Sequence, residues 1–179
     1  MLGRGIPSAP NNFLEGRLDG ARRLAILGVG SSLRSDDVAG LLVARSLARK
    51  FPRRADLLVV EGGCAPENLT GPLIRFDPTH LVVVDCAELD APPGSVRLFP
   101  VENIGGLSSS THSLPLSVIF GYLCKSCACE ALIVGIEPKS LAFDGKPTRE
   151  ALDASRRVAE VLSRAIRAMG RRTAGAGRL

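Results

Sequence analysis

The chain has 179 residues, 45% of them apolar, enough for one domain with a real core and too few for two. Its net charge of +5 comes mostly from arginine; with one Tyr, no Trp and no basic helix interleaved with aromatics, nucleic acid is not an expected partner. No apolar run reaches transmembrane length and the first residues lack the basic-then-apolar order of a signal peptide, so we expect a cytoplasmic protein without membrane insertion.

Residues 1–20 are rich in Gly, Pro and Asn and read as a flexible arm. A first strand is expected over Leu24–Leu27. The stretch Gly28-Val-Gly-Ser-Ser-Leu-Arg-Ser-Asp-Asp-Val-Ala-Gly40 follows and reads as strand, loop, helix. Gly28 and Gly30 allow a sharp turn, Ser35 is the expected N-cap, and Asp36 and Asp37 fall in the first helical turn. Gly40, Val43, Ala44, Leu47 and Phe51 mark the buried face of a helix that Pro52 ends. A second strand over Leu57–Glu61 closes at Gly62-Gly63. A loop and short helix occupy Cys64 to Phe76.

His80-Leu-Val-Val-Val-Asp85 is a continuous apolar run closed by an acid, the pattern of a strand buried on both faces. Val96–Phe99 reads as an edge strand. Thr111-His112-Ser113-Leu114-Pro115 opens a helix with Leu116, Ile119, Phe120 and Leu123 on its apolar positions. Ala131–Ile136 is a further buried strand. Thr148 caps a last helix, lined by Ala151, Ser155, Val158, Leu162, Ala165 and Met169 and ended by Gly170. Residues 21–170 thus form one domain, and 171–179 a frayed tail. The alternation predicts an α/β fold: a three-layer α/β/α sandwich around a mainly parallel twisted sheet of about five strands.

Sites in such sheets gather beyond the carboxyl ends of the strands. That rule selects Asp36 and Asp37 after the first strand, Glu61 after the second and Asp85 after the third, with His112 before a helix. Each has a plainer reading: the paired acids complement the helix dipole, Asp85 caps a turn, and His112 bonds to backbone. Together, two carboxylates and an imidazole suit a divalent transition metal such as nickel or zinc better than an all-oxygen ion. His80 falls at the opposite end of its strand and receives no role.

Five cysteines is an odd count, which argues against a disulfide framework. Cys124-Lys-Ser-Cys127-Ala-Cys129 resembles half of a metal site but has no second pair, so these thiols are read as packing, as is Cys86.

These motifs, in order and spacing, resemble the hydrogenase maturation endopeptidases, closest to the hydrogenase-3 type. The residues carrying the resemblance are Gly28-Val-Gly30 with Asp36, Asp37 and Gly40, Glu61-Gly-Gly-Cys-Ala-Pro-Glu67-Asn68, the Val84-Asp85 strand end, Thr111 to Leu116, and Gly135-Ile-Glu-Pro138. It covers roughly Leu24 to Ile166. The resemblance implies an endopeptidase that removes the C-terminal extension of the [NiFe]-hydrogenase large-subunit precursor after nickel insertion. It implies Asp37, Asp85 and His112 as metal-binding residues, Asp37 as catalytic, and Glu61 or Asp36 as candidate bases. The nickel is expected to be the substrate's own, and no organic cofactor is expected. Ser31, Ser35, Val38 and Glu61 depart from the family's usual residues at their positions.

Two mechanisms fit this set. In one, a metal polarises the scissile carbonyl or activates water; in the other, Asp37, Asp85 and His112 dock onto nickel already held by the substrate while an acid acts as base. A non-enzymatic nickel carrier could use the same ligands. A nucleotide site fits poorly, because the third glycine of a dinucleotide loop is missing and paired acids would repel phosphate.

Overall fold

The structure is a computed structural model that describes Leu14 and residues 16–100 and 116–176. Five strands form one sheet: β1 (Leu24–Val29), β2 (Leu57–Gly63), β3 (His80–Cys86), β4 (Val96–Pro100) and β5 (Glu130–Ile136), in the order β2-β1-β3-β5-β4. The first four in that order run parallel, and β4 lies antiparallel on the edge of β5. Among the described residues, helices α1 (Ala39–Lys50), α2 (Thr70–Phe76), α3 (Leu116–Cys127) and α4 (Arg149–Ala176) cover the sheet, with 3₁₀ turns at Ser35–Val38 and Pro66–Leu69. None of the described helices is long and apolar enough to cross a membrane.

The β-branched runs behave as their composition requires. Side chains alternate across a strand, so a run apolar at every position must be covered on both faces. Leu24, Ile26, Val82, Val84, Leu132 and Val134 pack against Val43 and Leu47 of α1 and Val158, Leu162 and Ile166 of α4. Ala25, Leu27, Leu81, Val83 and Ile133 face the other way, onto Leu73 of α2 and Phe120 and Leu123 of α3. This is the three-layer α/β/α sandwich that the sequence predicts, with β4 at the predicted edge.

Two boundaries differ from the sequence reading. The segment before β1 is not an arm up to Gly20: Leu14, Leu18 and Ala21 are buried in the core under α1 and α4. Their spacing of four and three residues is itself helical, and the Leu18 N–H donates to the Leu14 carbonyl at 3.2 Å. A composition rich in glycine masked that short apolar stripe. At the other end, α4 runs through Gly170 to Ala176 rather than stopping. One glycine inside a helix costs about 1 kcal/mol relative to alanine, too little to end a helix on its own.

Burial of Leu18 gives a direct test. Leu18→Ala is expected to destabilise the fold by roughly 2–3 kcal/mol, the usual cost of emptying a core leucine site. Urea unfolding monitored by circular dichroism measures it. A change under about 0.5 kcal/mol would mean that this segment is not part of the core.

Candidate functional site

The crossover after β1 goes to β2 on one side, while β3 lies on the other. The gap between β1 and β3 at their carboxyl ends is therefore a topological switch point, where open α/β sheets leave a crevice. Glycines bring the first turn of the chain into it. A Cβ on Gly40 would stand 2.2 Å from the Val84 carbonyl oxygen and 2.3 Å from that of Val29. One on Gly28 would stand 2.2 Å from the Gly40 carbonyl oxygen. Only residues without side chains let the start of α1 rest directly on β1 and β3. Gly30, at φ +134°, makes the turn between strand and loop, with the Asp37 carbonyl in the space its side chain would need.

Ser35–Val38 forms a 3₁₀ turn ahead of α1, and Asp36 and Asp37 are both buried within it. Ser35 does not cap this turn as expected. It adopts φ +29°, and its hydroxyl donates to the Lys146 carbonyl at 2.9 Å. The two adjacent acids have different partners. The Asp36 carboxylate accepts from the backbone N–H groups of Lys139 (2.8 Å), Ser140 (3.1 Å) and Thr148 (2.6 Å), and from the Thr148 hydroxyl (2.9 Å). Both its oxygens are committed to holding the loop between β5 and α4. This gives Asp36 an architectural task that the sequence did not show, beside its candidate role as a base. Thr148, as expected, also caps α4, accepting from the Ala151 N–H at 3.4 Å.

Asp85 ends β3 and is 3% exposed, as is Asp37. Its Oδ1 accepts from the Cys86 N–H at 2.8 Å. The Cys86 thiol reports what surrounds it: burial first, then the charges of Asp85, Asp37, Asp36 and Glu137, all push its pKa far up. The four carboxylates therefore gather around this end of the sheet, and Cys86 stays a protonated thiol, which makes it no nucleophile.

Glu61 is not part of that group. It pairs with Gly28 in register, as Val84 does from the other side, so it projects toward α1 with Val84 rather than with Asp85. There Arg45 holds it, Nε donating to Glu61 Oε2 at 2.9 Å on the solvent-exposed surface. His112 lies outside the described residues. Among the described residues no group of three His, Cys, Asp or Glu side chains is placed to hold a metal ion. The donor set in view is two carboxylates, which by themselves favour a hard ion over a transition metal.

Glu137 is a strand-end acid that sequence reasoning left without a role of its own. Its Oε2 accepts from the N–H groups of Leu89 (2.6 Å) and Ala91 (3.3 Å), fixing the loop after β3. The rule that singled out Asp85 applies equally to Glu137 at the end of β5 and could have found it.

The remaining candidates lie elsewhere. His80 is buried at the opposite end of β3, 3.1 Å from the Thr79 hydroxyl, and burial lowers its pKa. Cys124, Cys127 and Cys129 pack between α3 and β5 in the second core. Burial, reinforced by the neighbouring Cys124 and Cys127, pushes the Cys129 thiol up to about 12. The raised pKa values of Cys127 and Cys129 in an apolar setting agree with the packing role assigned to them.

The commitment of Asp36 to the loop is testable. Asp36→Ala removes the acceptor of four hydrogen bonds and is expected to cost roughly 3 kcal/mol or more of unfolding free energy. A loss below about 1 kcal/mol by denaturant titration would mean that the loop is held by other means.

A family model described as hydrogenase maturation protease matches residues 41–166 of the chain. The hydrogenase 3 maturation protease of Escherichia coli K12 is 32% identical over 130 residues, which is 72% of this chain and 81% of that protein. In fold, the chain is similar to the [NiFe] hydrogenase maturation protease HycI from Thermococcus kodakarensis KOD1, with a TM-score of 0.80 and 28% identity over 87% of this chain and 99% of that one. It is also similar to an endopeptidase HycI from Escherichia coli, with a TM-score of 0.69 and 29% identity over 77% and 87%.

Proposed function

The chain belongs to the hydrogenase maturation protease family, and from that premise we propose that it removes the C-terminal extension of a [NiFe]-hydrogenase large-subunit precursor after nickel insertion. Among the acids near the switch point, the observation that carries the assignment of roles is their placement. Asp37 lies in the turn that the Gly28–Gly40 contact brings against β1 and β3, and Asp85 lies at the carboxyl end of β3, both 3% exposed, whereas Asp36 holds the loop between β5 and α4 and Glu61 pairs with Arg45 on the exposed surface.

In this reading nickel belongs to the substrate. Asp37 and Asp85 supply two oxygen donors toward it, and His112 supplies the nitrogen that favours nickel over magnesium. Nickel held there would be the element the enzyme recognises, and its charge would bring the segment to be cut beside these acids. The protein's own groups do the rest. The buried crevice limits the access of bulk water, and Asp37, through a carboxylate oxygen not turned to nickel, takes the proton of the attacking water and passes it to the leaving amine as the peptide bond breaks. Asp85, anchored through the Cys86 N–H, fixes the second contact. Recognition through the cargo explains why such a protease acts late: without nickel, the crevice has nothing to dock on.

The test compares wild-type enzyme on precursor with and without nickel, with no free metal added, reading loss of the C-terminal tail by mass. Cleavage of the nickel-loaded precursor alone is the expected result. His112→Ala is expected to slow that cleavage by roughly 10–100-fold with unfolding unchanged, the scale of a disturbed metal site. Equal cleavage of both precursors would overturn recognition through nickel.

A further inference from the structure

Among the described residues three large apolar side chains are exposed: Leu33, Tyr122 and Phe143. Two of them stand on the segments that meet at Asp36. Leu33 is 55% exposed on the loop after β1, and Phe143 is 70% exposed on the loop between β5 and α4. Neither segment is loosely held. The Asp144 N–H donates to the Leu33 carbonyl at 2.8 Å, and Arg34 and Phe143 form an antiparallel bridge. Arg34 Nε donates to the Leu141 carbonyl at 3.4 Å. The Asp36 carboxylate pins the same loop at Lys139, Ser140 and Thr148.

An apolar side chain in water contributes little to the fold, and rigid backbone beneath it makes it a ready anchor for a partner. Its place decides which partner. Leu33 precedes Asp37 by four residues, and the Asp37 N–H donates to the Arg34 carbonyl at 2.8 Å, so one short turn carries both. Asp37 and Asp85 are each only 3% exposed, so a peptide that reaches them must enter the crevice, and the protein carrying it must press against this rim. A second copy of the chain seated here would cover the crevice instead.

We propose that Leu33 and Phe143 form the apolar rim on which the hydrogenase large-subunit precursor docks an apolar surface next to the segment to be cut. The proposal rests on the protease reading given above. It assigns the rim to binding and leaves the chemistry to the carboxylates.

The test uses Leu33→Ser, Phe143→Ser and the double variant, with Phe143→Leu as the conservative control. Thermal unfolding midpoints first verify that the exposed substitutions leave the fold intact. On nickel-loaded precursor, the double variant is expected to raise KM about 10-fold to 100-fold, with kcat within about 3-fold of wild type. Phe143→Leu should restore most of the Phe143→Ser loss. A KM equal to wild type, in an enzyme that cleaves, would overturn the docking rim while leaving the protease reading intact. A fall in kcat at constant KM would overturn it too, by placing these residues in the chemistry. If wild type does not cleave, the protease reading fails. Calorimetric titration with the precursor then decides the rim: affinity weakened about 10-fold or more in the double variant supports it, and equal affinity overturns it. Wild type that is a dimer by sedimentation, with a monomeric double variant, would assign the rim to a second copy and overturn the proposal.

Discussion

Backbone of α1 lies directly on backbone of β1 and β3, and the rest of the site follows from that contact. Gly40 sits where any side chain would collide with the Val29 and Val84 carbonyls, and Gly28 where one would collide with Gly40. Protein interiors do not yield by an ångström, so the contact exists only with glycine on both sides. It brings the turn that precedes α1 into the crevice between β1 and β3. The crevice itself comes from topology, because the chain leaves β1 toward β2 and returns on the other side as β3.

Two adjacent acids in that turn divide the work. Asp36 satisfies four donors from the loop between β5 and α4, and so ties that loop to the turn after β1. A buried carboxylate with that many partners is an architectural element, and its charge is balanced by oriented N–H dipoles. The charges of Asp37 and Asp85 both weigh on the Cys86 thiol near the end of β3. Glu137 repeats the Asp36 pattern on the neighbouring loop. Acids at this end of the sheet thus include ones that hold loops, and their hydrogen-bond partners distinguish these.

That distinction marks the limit of what the sequence reveals. The sandwich was legible because β-branched runs at Leu24, Leu57, His80 and Ala131 have one stable environment, a sheet covered on both faces. Asp85 was legible because an acid closing such a run must lie at a strand end. The difference between Asp36 and Asp37 was not, since the partners of Asp36 lie more than a hundred residues away in the chain. The pairing of Glu61 with Arg45 was hidden for a similar reason. Strand ends share a rim, but alternate side chains point to opposite faces, and Arg45 of α1 waits on the Glu61 side. The buried Leu14 and Leu18 were missed because three apolar residues in a glycine-rich stretch give a faint periodicity.

The central claim is that Asp37 and Asp85 act as one unit at the switch point. Groups that act as a unit lose their effect together, so their removal is strongly non-additive. The direct measurement is the rate of tail loss from nickel-loaded precursor with Asp37→Asn, Asp85→Asn and the double variant, each verified as folded. The account predicts that each single variant falls to nearly the same residual rate as the double. A folded single variant that cleaves at the wild-type rate would contradict it.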